Sequence, residues 1–243
     1  MNDVQVAVAA ARAAAEVLLP LRDGDLRDGA LGDAGDAAAQ RAIAAVLAAH
    51  RPGDAVLSEE AADDPARLTA DRVWVVDPLD GTKEYRAGGR HDWAVHVALW
   101  ERGPGDLTVG AVGLPALGEV LATDPAPVVP PVPAGPLRVA VSRSRAPEVA
   151  RAAAAALDAV LVPLGSAGYK TLAVVRGEAD AYVHAGGMYQ WDSAAPVAVA
   201  RAAGLWTSRL DGSPLVYNAQ DAWLPDLVVC RPELADRVLA AVR

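Results

Sequence analysis

The residues best placed to do chemistry stand in one string, Trp74-Val-Val-Asp77-Pro-Leu-Asp80-Gly-Thr82. An apolar run delivers Asp77 at a strand end, Pro78 forces a turn, and Asp80 returns to the same side. Gly81 and Thr82 then leave backbone N–H groups free for an anion. Two carboxylates three residues apart across such a turn can bridge a pair of hard cations through oxygen. Strand-end Asp-Pro and Asp-Gly pairs are ordinary turn chemistry too. No turn, however, needs both acids, the glycine and the threonine together.

Enzymes of the haloacid dehalogenase type also end a strand with acids before Gly-Thr. Their acids stand at i and i+2, so both point alike from one strand. Spacing i, i+3 with a proline between favours metal-activated water over a phospho-aspartate. Further acids lie elsewhere. Leu57-Ser58-Glu59-Glu60 reads as a short strand ending in two carboxylates, which needs a nearby cation or arginine unless it is a solvated loop running on to Asp63 and Asp64. Asp36 opens the second helix in this reading, where an N-cap is the plain explanation. Gln190-Trp191-Asp192-Ser-Ala-Ala-Pro196 sets an acid at a helix start, as a cap or as a remote ligand closing a metal site. Gly165-Ser166-Ala-Gly168-Tyr169-Lys170 is a small-residue turn into a helix, suited to a phosphate or simply a helix start.

These residues need elements to hold them. Ala-rich periodicity predicts helices over 3–20 and 36–50, the second stopped by Pro52-Gly53. Strands are expected at 55–57, 72–77, 93–100, 107–114 and 118–122, with Trp93, Val95, Val97 and Leu99 alternating in the third. The Pro-rich stretch 125–136 can be neither a central strand nor a helix interior. It reads as a connector between an N-terminal half, 1–124, and a C-terminal half, 137–243. The latter alternates: strand 137–141, helix 147–158, strand 159–163, helix 167–176, strand 180–184, helix 192–203. A hairpin around Leu210–Pro214, strand 226–230 and a last helix from 232 complete it. The expected class is α+β / α/β, with a mostly antiparallel N-terminal sheet and an α/β C-terminal half.

Composition sets bounds. The chain has 243 residues, 53% of them hydrophobic, which excludes disorder. A formal charge of −9 disfavours nucleic acid or an anionic membrane as partner, and an anionic substrate would need bound cations to reverse the local field. One cysteine, Cys230, excludes an internal disulfide and a thiolate metal cage. The N-terminus lacks a basic n-region, and no window of 18 uninterrupted apolar residues occurs, so an amphipathic helix in a cytoplasmic protein is expected. Lysine occurs only at Lys83, directly after Gly81-Thr82, and at Lys170, inside the Gly165–Lys170 turn.

Taken together, Asp77-Pro-Leu-Asp80-Gly-Thr82, Ser58-Glu59-Glu60 and Trp191-Asp192-Ser-Ala-Ala-Pro196 resemble the inositol monophosphatase superfamily of lithium-sensitive, magnesium-dependent phosphomonoesterases. Gly81-Thr82-Lys83-Glu84-Tyr85, Val141-Ser-Arg-Ser144 and Gly165–Lys170 look like its 3′(2′),5′-bisphosphate nucleotidase branch, with the CysQ-type phosphatases of high-G+C bacteria most similar. The resemblance implies a layered α-β-α-β-α sandwich. It also implies hydrolysis of 3′-phosphoadenosine 5′-phosphate in sulfate assimilation, and two or three Mg²⁺ per site. The implied partner is a small phosphorylated nucleotide, with no nucleic acid and no membrane, and a homodimer is the suggested assembly.

Carried over by position, Glu59, Asp77 and the Leu79 carbonyl would hold one Mg²⁺, and Asp77, Asp80 and Asp192 a second. Asp36 would help hold a third ion or its water. Thr82, paired with Glu59, would activate the attacking water. The scissile phosphate would rest on Gly81 and Thr82, beside Asp80 and Asp192. Ser166 and Lys170 would grip the other phosphate, and Ser142 and Arg145 would contact the nucleoside. The chain departs from the pattern at Gly32-Asp33-Ala-Gly-Asp36, where the family has a threonine in place of Asp33, and at Arg145, where the branch often has histidine. A broader sugar phosphatase and a non-catalytic binding protein on the same fold are the rival readings.

Overall fold

The computed structural model describes residues 1–132, 134–144 and 146–243. Two helices come first, α1 (Asp3–Asp23) and α2 (Asp28–His50). Then follow β1 (Ala55–Ser58), β2 (Arg72–Asp80), the short α3 (Thr82–Arg86), β3 (Ala94–Glu101), β4 (Asp106–Leu114) and β5 (Glu119–Ala122). Beyond the Pro-rich stretch lie β6 (Leu137–Ser142), α4 (Glu148–Leu157), β7 (Ala159–Leu164), α5 (Ala167–Val175) and β8 (Ala181–Tyr189). The chain ends with α6 (Gln190–Ala202), β9 (Trp206–Ser208), β10 (Trp223–Cys230) and α7 (Ala235–Val242).

Strands β1 to β5 form one sheet in sequence order, β1 parallel to β2 and the rest antiparallel. The second sheet has the order β7-β6-β8-β10-β9, with β6 parallel to β7 and β8, and β10 antiparallel to its neighbours.

Alternation along the strands explains the layering, because successive side chains leave a sheet on opposite faces. In β2, Trp74 and Val76 join α1 and α2 in one core, while Val73 and Val75 meet α5 and α6 in another. In β10, Leu227 and Val229 face that middle layer, and Val228 and Cys230 face α4 and α7. The result is the α-β-α-β-α sandwich. Helices trapped between two sheets must be apolar on every side. Accordingly, α5 buries Leu172 to Val175 and α6 buries Ala194 to Ala200. Their small residues let the sheets close in. A Cβ on Gly110 of β4 would stand 2.7 Å from Ala198 Cβ.

Two expectations need correction. The second helix starts at Asp28, not at 36. Gly29, Gly32 and Gly35 depress helix propensity there, but tertiary contact overrides it, since Cβ atoms at Gly32 and Gly35 would come within 2.8 Å of Thr82 and Tyr85. Asp36 is therefore a mid-helix residue rather than a cap. The Leu210 hairpin is only a turn, closed by Arg209 N–H donating to Ser213 O at 2.9 Å. Strand β9 reaches β10 through the longer connection 209–222. By length and hydropathy alone α1 is also long and apolar enough to cross a membrane, which does not overturn the amphipathic helix expected there. Here its Val6, Ala10, Ala14 and Leu18 stripe is buried in the first core.

Candidate active site

Residues three apart on a strand leave opposite faces, so Asp77 and Asp80 meet only through a defect. Asp77 pairs with His96 and Asp80 with Ala94, so Pro78 and Leu79 together oppose the single residue Val95. This β-bulge shifts the alternation by one residue. The Leu79 N–H closes the turn by donating to Asp77 Oδ1 at 3.0 Å. Beyond the bulge, Gly81 takes φ +88°, in the left-handed region that favours glycine, and opens α3. A Cβ there would lie 2.9 Å from Ser166 Cβ. We expect Gly81→Ala to lower stability by about 1–3 kcal/mol, measured by urea denaturation. No change in the unfolding midpoint would contradict this.

Asp77, Asp80 and Asp192 present carboxylate oxygens within 4.8 Å of one another. Asp192 is the third residue of α6 and caps it from inside, its Oδ2 accepting the Tyr189 N–H at 2.6 Å. Asp80 accepts the Ala167 and Gly168 N–H groups at the start of α5, at 3.3 and 2.6 Å. Glu59, just past β1, is exposed as a residue, with its carboxyl beside Asp77. The Thr82 hydroxyl lies 3.2 Å from the Leu79 carbonyl and 3.5 Å from Asp36 Oδ1. Its carboxylate partner is thus Asp36, not the Glu59 expected from the sequence. Asp33, the departure from the family pattern, is exposed.

Burial, then mutual repulsion, pushes these acids toward the neutral form. Asp192 is raised to about 7 by desolvation and by Asp80. Asp36 is also raised to about 7, by desolvation and by Glu60, Glu59 and Asp33. Asp77 is driven well above the usual carboxylate range by burial and by Asp80, Glu59 and Asp192, and Glu59 is raised as well. Carboxylate oxygens gathered at such a penalty form a donor set for a hard divalent cation.

The turn Gly165–Lys170 lies against this cluster. Ser166 caps α5, its hydroxyl accepting the Tyr169 N–H at 2.8 Å. Lys170 was expected to grip a phosphate, but only 4% of its surface is exposed. Its ammonium donates to the carbonyls of Gly165 and Ser166 and lies 5.3 Å from the centre of the Tyr182 ring. Burial lowers its pKa to about 8. A lysine one turn into a helix can fold back on the helix start, and here it shapes the turn from below. Ser142 Oγ lies 3.2 Å from Ser144 Oγ. Both line a cleft of about 830 Å³ with His184, Gly186 and the first turn of α4. Arg145 lies outside the described residues.

A profile of the inositol monophosphatase family matches residues 2–243. The chain belongs to the inositol monophosphatase family. The 3′-phosphoadenosine 5′-phosphate phosphatase of Mycobacterium leprae (strain TN) is 48% identical over 255 aligned positions, spanning 100% of this chain and 94% of the relative. The protein of the same name from Mycobacterium tuberculosis (strain CDC 1551 / Oshkosh) is 52% identical over 218 positions, 87% and 82% of the two chains. Among solved structures, CysQ from Bacteroides thetaiotaomicron superposes with TM-score 0.81 at 25% identity, covering 94% of this chain and 97% of that one. Inositol monophosphatase family enzymes depend on metal, and the Asp77, Asp80 and Asp192 cluster can bind one.

Two residues near this inositol monophosphatase-type site escaped the sequence reading. Asp92 is fully buried and accepts from Arg90, from Arg143 at 2.8 Å and from the Gly165 N–H at 2.6 Å. Burial alone would raise its pKa, but these donors hold it down to about 2. It ties the Gly165 turn to the start of β3. His96 is the other. It is the polar residue on a β3 face that otherwise reads Ala94, Ala98 and Trp100, and a buried polar group on an apolar face is the signal that could have found it.

Proposed function

We propose that this chain hydrolyses the 3′-phosphate of 3′-phosphoadenosine 5′-phosphate, giving AMP and phosphate, with two or three Mg²⁺ as resident cations. The observation that carries the reading is the cluster of Asp77, Asp80 and Asp192 assembled by the β2 bulge and the start of α6. Relatives 48% and 52% identical, named as phosphatases of that nucleotide, supply the substrate class.

Asp77, Asp80, Asp192, Glu59 and the Leu79 carbonyl would hold the cations. The chemistry that bound Mg²⁺ supplies is acidification of a water and charge stabilisation of the phosphoryl and leaving oxygens. The chain's own residues do the rest. The Thr82 hydroxyl, held by the Leu79 carbonyl and Asp36, would accept a hydrogen bond from the attacking water and orient it. Asp36, raised to about 7, suits a proton acceptor near neutral pH. The Gly81 and Thr82 N–H groups open α3 without an intrahelical partner and would seat the scissile phosphate. Attack of water on phosphorus breaks the bond to O3′, which leaves with a proton.

Ser166, with its turn braced by Lys170 and Asp92, would meet the other phosphate. The cleft of about 830 Å³ beside Ser142 would take the nucleoside. In this reading residues 1–124 carry most cation ligands, residues 137–243 carry Asp192 and the nucleotide contacts, and the enzyme is a cytoplasmic homodimer.

Comparing kcat/KM with Mg²⁺ for 3′-phosphoadenosine 5′-phosphate, inositol 1-phosphate and fructose 1,6-bisphosphate tests the substrate. The nucleotide should lead by about 10²-fold or more, because a site built for polar groups discriminates strongly against substrates lacking them. Equal values would sink the nucleotide assignment. Lys170→Met should raise KM for the nucleotide by about tenfold (some 1.4 kcal/mol) and leave inositol 1-phosphate within about twofold. An equal effect on both substrates would assign Lys170 to general stability.

A further inference from the structure

The two arms of the acid cluster come from different parts of the fold, Asp80 from β2 in the first sheet and Asp192 from α6 in the middle layer. Like charges there repel, so something other than the acids must fix their spacing. His96 stands between the two arms. Its Nδ1 lies 3.0 Å from the Trp191 carbonyl oxygen, one residue before Asp192. Its Nε2 lies 3.3 Å from Asp80 Oδ2, and Nδ1 is 3.9 Å from Asp77 Oδ2. The ring is wholly buried; with Nδ1 donating to the Trp191 carbonyl, Nε2 of the neutral ring carries no proton, and among the described residues it has no hydrogen-bond partner, so its approach to Asp80 is a packing contact. The register explains the placement, since His96 is the residue of β3 directly opposite Asp77, where the bulge begins.

The fold makes room for this ring at a specific position. A Cβ added to Gly168 of α5 would come within 1.9 Å of His96 Nε2. Gly168 sits in a helix with no positive φ to require glycine, and alanine there would be favoured by helix propensity. The imidazole accounts for the glycine. The Gly168 N–H meanwhile holds Asp80 Oδ2 from the other side at 2.6 Å.

We infer that His96 is a positioning residue for the cation site: anchored by its Nδ1–H on the Trp191 carbonyl, the ring packs as a spacer against the Asp80 carboxylate and sets the separation of cation ligands contributed by β2 and α6. Packing alone does not explain it, because the rest of that β3 face is apolar and would accept a leucine. The inference rests on the cation-site reading above. It adds that the site is assembled through a side chain that need not touch the cation.

The test measures Mg²⁺ affinity by calorimetry on the metal-free full-length protein, with the metal-free melting temperature followed in parallel. His96→Leu should bind Mg²⁺ at least tenfold more weakly while still melting cooperatively. His96→Gln, which keeps an amide donor and acceptor at similar reach, should recover most of that loss. Gly168→Ala, which displaces the ring without removing it, should also weaken binding severalfold. Mg²⁺ affinity within twofold of wild type in His96→Leu overturns the inference. If His96→Leu does not fold, wild-type affinity in Gly168→Ala overturns it instead. Failure of wild type itself to bind Mg²⁺ overturns both this inference and the cation-site reading, whereas normal binding in wild type with unchanged variants removes only the brace.

Discussion

Asp77→Asn should lower kcat by about 10³-fold or more and at the same time make the metal-free protein more heat-stable. The activity loss follows from position. Asp77 is 1% exposed, stands at the centre of the acid cluster and is proposed to contact both cations. Losing several kcal/mol of charge stabilisation in the transition state corresponds to at least three tenfold steps in rate. The stability gain follows from the same burial. Asn keeps the oxygen that accepts the Leu79 N–H at 3.0 Å. What it removes is a buried acid that desolvation, Asp80, Glu59 and Asp192 force toward its neutral form at a cost to the folded state. For a chain of this length, each kcal/mol gained raises the melting temperature by about 2–4 °C. Calorimetry in EDTA and a phosphate-release assay with Mg²⁺ check the two halves. Retained activity, or a lower metal-free melting temperature, would contradict the role given to this residue.

The acid cluster should also make the metal-free protein lose stability as pH rises from about 4 to about 7, outweighing the opposite contribution of the buried His96 and His184, whose pKa values are lowered by burial. Asp36 and Asp192 keep their protons in the folded chain up to about 7, against 3.8 for the free side chain. Between those limits the folded state binds more protons than the unfolded state, so unfolding free energy falls with pH and levels off above 7. Each tenfold difference in proton affinity is worth about 1.4 kcal/mol. The more buried Asp192 thus accounts for roughly a few kcal/mol, and Asp36, partly screened by solvent, for less. Asp77 and Glu59 shift in the same direction. Mg²⁺ should cancel the trend, adding about 2.7 kcal/mol at a hundredfold excess over its Kd, with the largest effect above pH 7. Melting temperatures between pH 4.5 and 8, in EDTA and in Mg²⁺, read this directly. A metal-free melting temperature that climbs from pH 5 to 7 would oppose it.

How much of the site could be read from the sequence depended on whether its residues acted locally. Asp77 and Asp80 were legible because Pro78 and Gly81 announce a turn, and a turn is local. The reason both face one side is a register shift against Val95, which only strand pairing reveals. Strand boundaries followed from alternation, and the Ala-rich middle helices from their runs. The start of α2 did not, because Gly32 and Gly35 read as breakers until Thr82 and Tyr85 are seen pressing on them. That error also cast Asp36 as a cap. Lys170 was assigned from its place in the Gly165–Lys170 turn and from the family resemblance, and neither says which way a long side chain folds. His96 and Asp92 were passed over because each acts across the chain, on Trp191 and on Gly165.

The most direct measurement is product identification. 3′-Phosphoadenosine 5′-phosphate is incubated with the metal-free enzyme and with the Mg²⁺-loaded enzyme, and the nucleotide products are separated. The structure predicts AMP and one equivalent of phosphate, formed only with Mg²⁺ and absent with Asp77→Asn. Adenosine 3′-phosphate as product, turnover in EDTA, or AMP formed equally well by Asp77→Asn would contradict it.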